Sequence, residues 1–208
     1  MQFEITTSAS PQTFSFQTDS AVNLDVDWGD GSPVDTFNGS GLRSHSYATA
    51  GVYTVEVTGQ VQRLSYYEGT PELLTDILTS YDTGLSGITS ASSMFRGCSG
   101  LTTPTATDFF DVTSASVTNM YRMFNGCSQF TSDLSGWDVS SVTNMGRMFY
   151  GCSQFTSDLS GWDVSSVTDT YTMFYSCSQF TSDLSGWDVS SVTDMRYMFA
   201  NCSQFTSD

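Results

Sequence analysis

"CSQFTSDLSGWDVSSVT" occupies residues 127–143, returns unchanged at 152–168 and 177–193, and begins a fourth time at Cys202 before the chain ends at Asp208. The last four cysteines, Cys127, Cys152, Cys177 and Cys202, are therefore 25 residues apart. A fixed period of this size is the mark of a solenoid, in which each repeat is one coil and buries its apolar face only against its neighbours. An earlier, diverged copy starts before Cys98, where "GITSASSMFRGC" matches "SVTNMYRMFNGC". The interval from Cys98 to Cys127 is 29. Two of the four extra residues fall between Cys98 and Asp111, and two in "DVTSASVTNM" against "DVSSVTNM".

Within one repeat the apolar positions are Phe130, Leu134, Trp137, Val139, Val142, Met145, Met148, Phe149 and Cys152. From Val142 onward their spacing predicts one face of a short helix. Ser141 or Asp138 is placed to cap its start and Gly151 its end. The half from Phe130 to Val139 predicts one or two short strands with a turn at Ser135–Gly136. The Trp137, Trp162 and Trp187 column and the Cys column, with Cys98 at its foot, are expected to form structural ladders along the stack.

Residues 1–64 read differently. "QFEIT", "TFSFQT", "VNLDVDW" and "GVYTVEVTG" alternate like strands, and Gly29–Gly31 is a tight-turn signal. The expected fold class is mainly β with short helices: a small β-sandwich over 1–64, then a parallel solenoid of about five coils over 88–208, its last repeat incomplete. Residues 65–87 are a joining segment whose "LLTDIL" is expected to be the first solenoid strand.

Two resemblances follow. The unit "MFxGCSQFTSDLSGWDVSSVTNM" resembles the bacterial leucine-rich-repeat (LRR) surface proteins of the BspA type, over Ile88 to Asp208. "VDWGDG" followed by "HSYATAGVYTVEVTG" resembles polycystic-kidney-disease (PKD) type domains, at Trp28–Gly31 and His45–Val57. The resemblances imply an LRR-like solenoid, a structural His45, and adhesion or display at a surface rather than catalysis.

The bulk composition narrows the function. Net charge is −16, with 22 acids against six Arg. That argues against nucleic acid, which needs a basic surface, and against docking on anionic lipid. No run of 18 apolar residues predicts a membrane span, and the N-terminus does not read as a secretory signal. A protein working outside the cell would then have lost a leader or left by another route. One His and no CxxC pair make a zinc site improbable, and no phosphate loop, HExxH or paired Glu points to an enzyme.

Several candidates carry two readings. The Cys column is a ladder of buried thiols or, at strand spacing, of disulfides. The Asp columns, Asp133, Asp158, Asp183 and Asp208 with Asp138, Asp163 and Asp188, cap backbone N–H groups or bridge calcium between coils. "DVDWGDGSPVD" departs from the EF-hand pattern. It reads as a structural turn, with a weak calcium site at Asp25, Asp27 and Asp30 as the alternative. No cofactor is required on this reading.

The copies disagree mainly between the invariant Thr and the next Cys. Arg96, Tyr121, Arg122, Arg147, Tyr150, Tyr171, Tyr175, Arg196 and Tyr197 lie there. Tyr and Arg are enriched at binding hot spots, so these residues are expected to form a solvent-facing binding side; the alternative is drift after recent duplication. The expected function is a non-enzymatic adhesion or recognition protein on a cell or virion surface, binding a protein or glycan. The alternative is a fibre subunit stacking head-to-tail on copies of itself through an uncapped end.

Overall fold

The computed structural model describes residues 1–67, 69–79, 84–105 and 117–206. The described residues are mainly β, with almost no helix. Seven strands form one sheet: β1 (Gln2–Thr7), β2 (Gln12–Asp27), β3 (Asp35–Tyr47), β4 (Gly51–Gln60), β5 (Arg63–Ser65), β6 (Leu74–Ile77) and β7 (Leu85–Ser86). The path runs β3-β2-β4-β1-β6, with β5 paired to β2 and β7 paired in parallel to β4.

"TFSFQT" and "VNLDVDW", expected as two strands, fall almost wholly in one, β2, of a single sheet. The ladder to β3 slips between Thr18 and Ala21 and again before Leu24, and Ser20 (φ 53°) and Asn23 (φ 45°) are left-handed. Such bulges bend a strand. Consequently the first half of β2 and the strand β1, which are not neighbours in the sheet, face each other across a core. Phe3 and Phe14 have ring centroids 5.8 Å apart, Phe3 and Tyr66 5.3 Å, and Phe16 and Trp28 5.9 Å. Leu24, Val26 and Trp28 are fully buried and Asp25 and Asp27 are not, as alternation requires. The Gly29–Gly31 turn falls between β2 and β3. A Cβ on Gly29 (φ 78°) would lie 2.1 Å from the Thr54 carbonyl oxygen, so only glycine fits.

"LLTDIL" is also corrected. Leu74–Ile77 is β6, hydrogen-bonded antiparallel to β1, and belongs to the N-terminal sheet. β6 still touches the repeat region, its Asp76 accepting from the Thr105 N–H at 2.7 Å, and β5 with Tyr66 meets the repeats as well. The Tyr66 N–H donates to the Met94 carbonyl at 2.9 Å, and the Tyr66 ring stacks on Phe95 at 5.8 Å. One continuous hydrophobic core runs from Met1 to the last repeat.

In the repeats the short helix is replaced by a run of turns, and no regular strand forms over 130–139. The reason lies in where the N–H groups go. Met145, Arg147, Phe149 and Gly151 donate to Asp169, Tyr171, Met173 and Tyr175 of the next repeat at 2.8–2.9 Å. The residues between them, Met148, Tyr150 and Cys152, donate three residues back, to Met145, Arg147 and Phe149. The same alternation occurs at 120–127 and 170–177. A helix would need every N–H to reach four residues back; here every second one is taken by a neighbouring repeat. Left-handed residues at Arg122, Arg147, Thr172 and Tyr197 (φ 49–59°) set the alternation. Repeat registers with repeat, as isolated parallel bridges join Ser90, Asn119, Asn144, Asp169 and Asp194.

Candidate functional site

Rings pile up along the repeats. Phe95, Phe124, Phe149, Phe174 and Phe199 follow one another at 5.4–5.7 Å, each pair within 16° of parallel. Phe130, Phe155, Phe180 and Phe205 form a second column at 5.8–6.1 Å, and Trp137 stacks on Trp162 at 6.5 Å. The tryptophans also bind between repeats: Trp162 Nε1–H donates to the Leu134 carbonyl at 2.9 Å, and Trp187 to Leu159 at 3.0 Å.

The five cysteines are free; four are buried and Cys202 is half-buried. Cys127, Cys152, Cys177 and Cys202 each donate the thiol to the phenylalanine carbonyl of the preceding repeat, at 2.7–3.0 Å. Burial pushes all five thiols above their ordinary range.

The carboxylates of the Asp columns close local turns. Asp133, Asp158 and Asp183 accept from the N–H of Ser135, Ser160 and Ser185 at 2.9 Å. Asp138, Asp163 and Asp188 accept from Ser140, Ser165 and Ser190 at 3.0 Å. A relay missed in the sequence links repeats here: Ser157 Oγ–H donates to Asp133 while accepting from the Leu134 N–H, and Ser182 does the same with Asp158 and Leu159. These bonds hold the carboxyls below their ordinary value despite the neighbouring like charge. Asp208 lies outside the described residues, as does Asp111.

Asp25, Asp27 and Asp30 do not converge. Asp25 accepts from Thr36, Asp27 from the Gly29 N–H, and Asp30 from the Ser32 N–H. Among the described residues no group of three or more His, Cys, Asp or Glu side chains gathers that could hold a metal. His45 Nε2 lies 2.8 Å from Asp30, and its ring stacks on Trp28 at 5.2 Å. The bond to His45 is the first cause, and the bonds to Ser32 the next, of an Asp30 carboxyl lowered to about 2.

Of the variable residues, Arg122, Arg147 and Tyr197 are left-handed, and several pair with one another. The Arg122 guanidinium covers the Tyr121 ring at 4.8 Å, Arg147 and Arg196 approach the Tyr171 ring at 5.1 and 5.4 Å, and Tyr150 stacks on Tyr175 at 4.7 Å. Arg96 sits 3.5 Å over Tyr67, a partner the sequence did not signal because Tyr67 precedes the repeats. Gly146 occupies the place of Tyr121 and Tyr171 in its own repeat, and the Tyr121 ring leans over it. The expected solvent exposure is only partly met. Tyr197 is 67 % exposed, but Tyr121, Arg122, Arg147 and Tyr171 are half-buried against one another and Thr172 is buried.

At the far end the last repeat is uncovered. Val189 and Met195 are exposed, and Leu184, Trp187, Met198, Phe199 and Phe205 line an open cavity of about 650 Å³.

The architecture so far is a β-rich protein whose N-terminal sheet closes one end of a register of near-identical repeats. The repeat region identifies the family: residues 89–208 match the model described as "Mycoplasma protein of unknown function, DUF285", and the chain belongs to that family. No curated protein and no solved structure matches the chain.

Proposed function

We propose that the chain is a non-enzymatic, surface-exposed recognition protein. In this reading the repeats are an LRR-like parallel solenoid of about five coils serving as a rigid scaffold, and the PKD-like sheet is its cap. The Tyr/Arg turns are the binding side, taking a protein or glycan ligand on a cell surface. The observation that carries it is the distribution of variation. Identical residues hold most of the core and the inter-repeat bonds, whereas every Tyr and Arg of residues 88–208 stands at a position that differs between copies, and several of them pair with one another. Rigid presentation reduces the ordering cost of binding. Calcium is an accessory ligand at most, because each Asp that the metal would need already closes its own turn.

The test is adhesion of labelled protein to host cells. Replacing Tyr121, Arg147, Tyr171 and Arg196 together by Ala is expected to abolish it, and replacing the exposed Gln154 and Gln179 to leave it intact. Unchanged adhesion of the quadruple variant overturns the reading.

The apolar cavity lined by Leu184, Trp187, Met198, Phe199 and Phe205 favours a second reading, head-to-tail fibres. Against it stands the first repeat, whose outer face is already covered by Tyr66 and β5. Light scattering at micromolar concentration separates them: monodisperse monomers support recognition, long fibres the second reading.

A further inference from the structure

The six arginines do not share one fate. Arg63 pairs with Asp19 at 2.7 Å, and Arg196 grips Asp194 through two bonds of 3.0 and 2.7 Å. Arg43 donates to Thr18 and to the Gly39 carbonyl. Among the described residues, Arg96, Arg122 and Arg147 have neither an ion pair nor a side-chain hydrogen bond, in a chain of net charge −16. The Nε atoms of Arg122 and Arg147 are buried with no acceptor, and both residues are half-buried, so part of each side chain reaches solvent. The two side chains stand on adjacent repeats, since the Arg122 N–H bonds to the Gly146 carbonyl beside Arg147. The Asp169 carboxylate, close to Gly146 on this side, accepts from the Tyr171 N–H at 2.8 Å. Two like charges are thus held side by side against tyrosine rings, without the acids that pair Arg63 and Arg196 or the neutral acceptors that Arg43 has.

We infer that the strip formed by Arg96, Arg122 and Arg147 with Tyr67, Tyr121 and Tyr171 is a seat for an acidic polysaccharide, one carrying carboxylate or sulfate groups along a linear chain. This rests on the binding-side reading above and names its ligand. Guanidinium N–H groups are matched to carboxylate and sulfate oxygens, and tyrosine rings offer flat apolar faces to the C–H faces of sugar rings. The acidic remainder of the surface repels a dense polyanion, so a nucleic acid is disfavoured and a sparsely charged glycan fits. An acidic peptide satisfies the charges but brings no sugar face to the rings.

Binding is measured by calorimetry on the full chain with four probes of similar length. These are an alternating glucuronate–N-acetylglucosamine decasaccharide, a sulfated chondroitin decasaccharide, a neutral chito-oligosaccharide and poly-glutamate. Either acidic glycan is expected to bind, and which binds tighter tells carboxylate from sulfate. R122Q/R147Q should weaken binding by about tenfold or more with Tm not reduced, and R43Q by less than about twofold. R147K, which keeps the charge, should retain most of the affinity. Equal binding of the neutral oligosaccharide or of poly-glutamate, no binding of either acidic glycan, or unchanged affinity of R122Q/R147Q overturns the inference. If the quadruple alanine variant loses cell adhesion while no acidic glycan binds, the ligand class alone is wrong. If that variant adheres normally, the binding side itself is wrong.

Discussion

Replacing Phe149 by Ala tests how the repeats hold together. Phe149 is fully buried, with Phe124 at 5.7 Å below, Phe174 at 5.5 Å above and Phe155 at 4.2 Å beside it. Truncating a buried Phe costs about 3–5 kcal/mol, and lost ring pairs are part of that sum. In a chain of this length 1 kcal/mol moves Tm by about 2–4 °C, so F149A should melt at least about 6 °C lower. Phe199 occupies the same column in the last repeat, but it is only half-buried and has Phe174 at 5.6 Å and Phe205 at 4.1 Å. F199A should therefore cost about half as much as F149A. The assay is urea unfolding followed by tryptophan fluorescence, with Trp28 reporting on the sheet and Trp162 on the repeats. Because one core joins the two, both reporters should lose signal in one transition. Equal losses for F149A and F199A, or a loss below about 1 kcal/mol for F149A, would refute the stacking argument.

Thr172 carries two penalties, a β-branched side chain at φ 49° and a buried hydroxyl without a hydrogen-bond partner. T172G, which relieves both, should gain about 1 kcal/mol, read as a rise in Tm. The thiols offer a chemical check: in native protein Cys202 should react first with a disulfide reagent, and Cys98, Cys127, Cys152 and Cys177 only on unfolding. Five thiols should appear in denaturant without reductant. Acid should act through Asp30, whose folded value, about 2, lies below its ordinary 3.8. The stability it contributes is complete above about pH 4 and is lost as pH falls toward 2, and D30N should remove that share of the acid dependence.

The stacking was legible from Cys127 onward because the copies are nearly identical, and a fixed period forces equivalent residues to one height. What periodicity could not distinguish was helix from turn. Val142, Met145, Met148 and Phe149 fall on one side either way, and the difference lies in N–H groups captured by another repeat. Strand β3 escaped notice because "DTFNGSGLRSHSY" forms the sheet edge and buries only Tyr47 fully, so no alternation of apolar residues marks it. Residues 73–78 misled for the opposite reason: an apolar run marks a strand but not its partner, and β6 found β1. On the candidate side the variable columns pointed to the Tyr/Arg residues. The pairing of Arg96 with Tyr67 and the isolation of Arg122 and Arg147 from any acid depend on the fold alone.

The most direct measurement is amide hydrogen exchange, residue by residue, on the native chain. Every inference about a rigid, one-sided scaffold depends on N–H groups that cross between repeats. The N–H groups of Met145, Arg147, Phe149 and Gly151, bonded across to the next repeat, should exchange slowly together with those of Met148, Tyr150 and Cys152. In the last described repeat the N–H groups of Met195, Tyr197, Phe199 and Asn201 make no such cross-repeat bond, whereas those of Met198, Ala200 and Cys202 keep their bonds three residues back. The account predicts fast exchange at the first set and slower exchange at the second, an alternation confined to this repeat. Uniform protection across 195–202, as a helix would give, would contradict it.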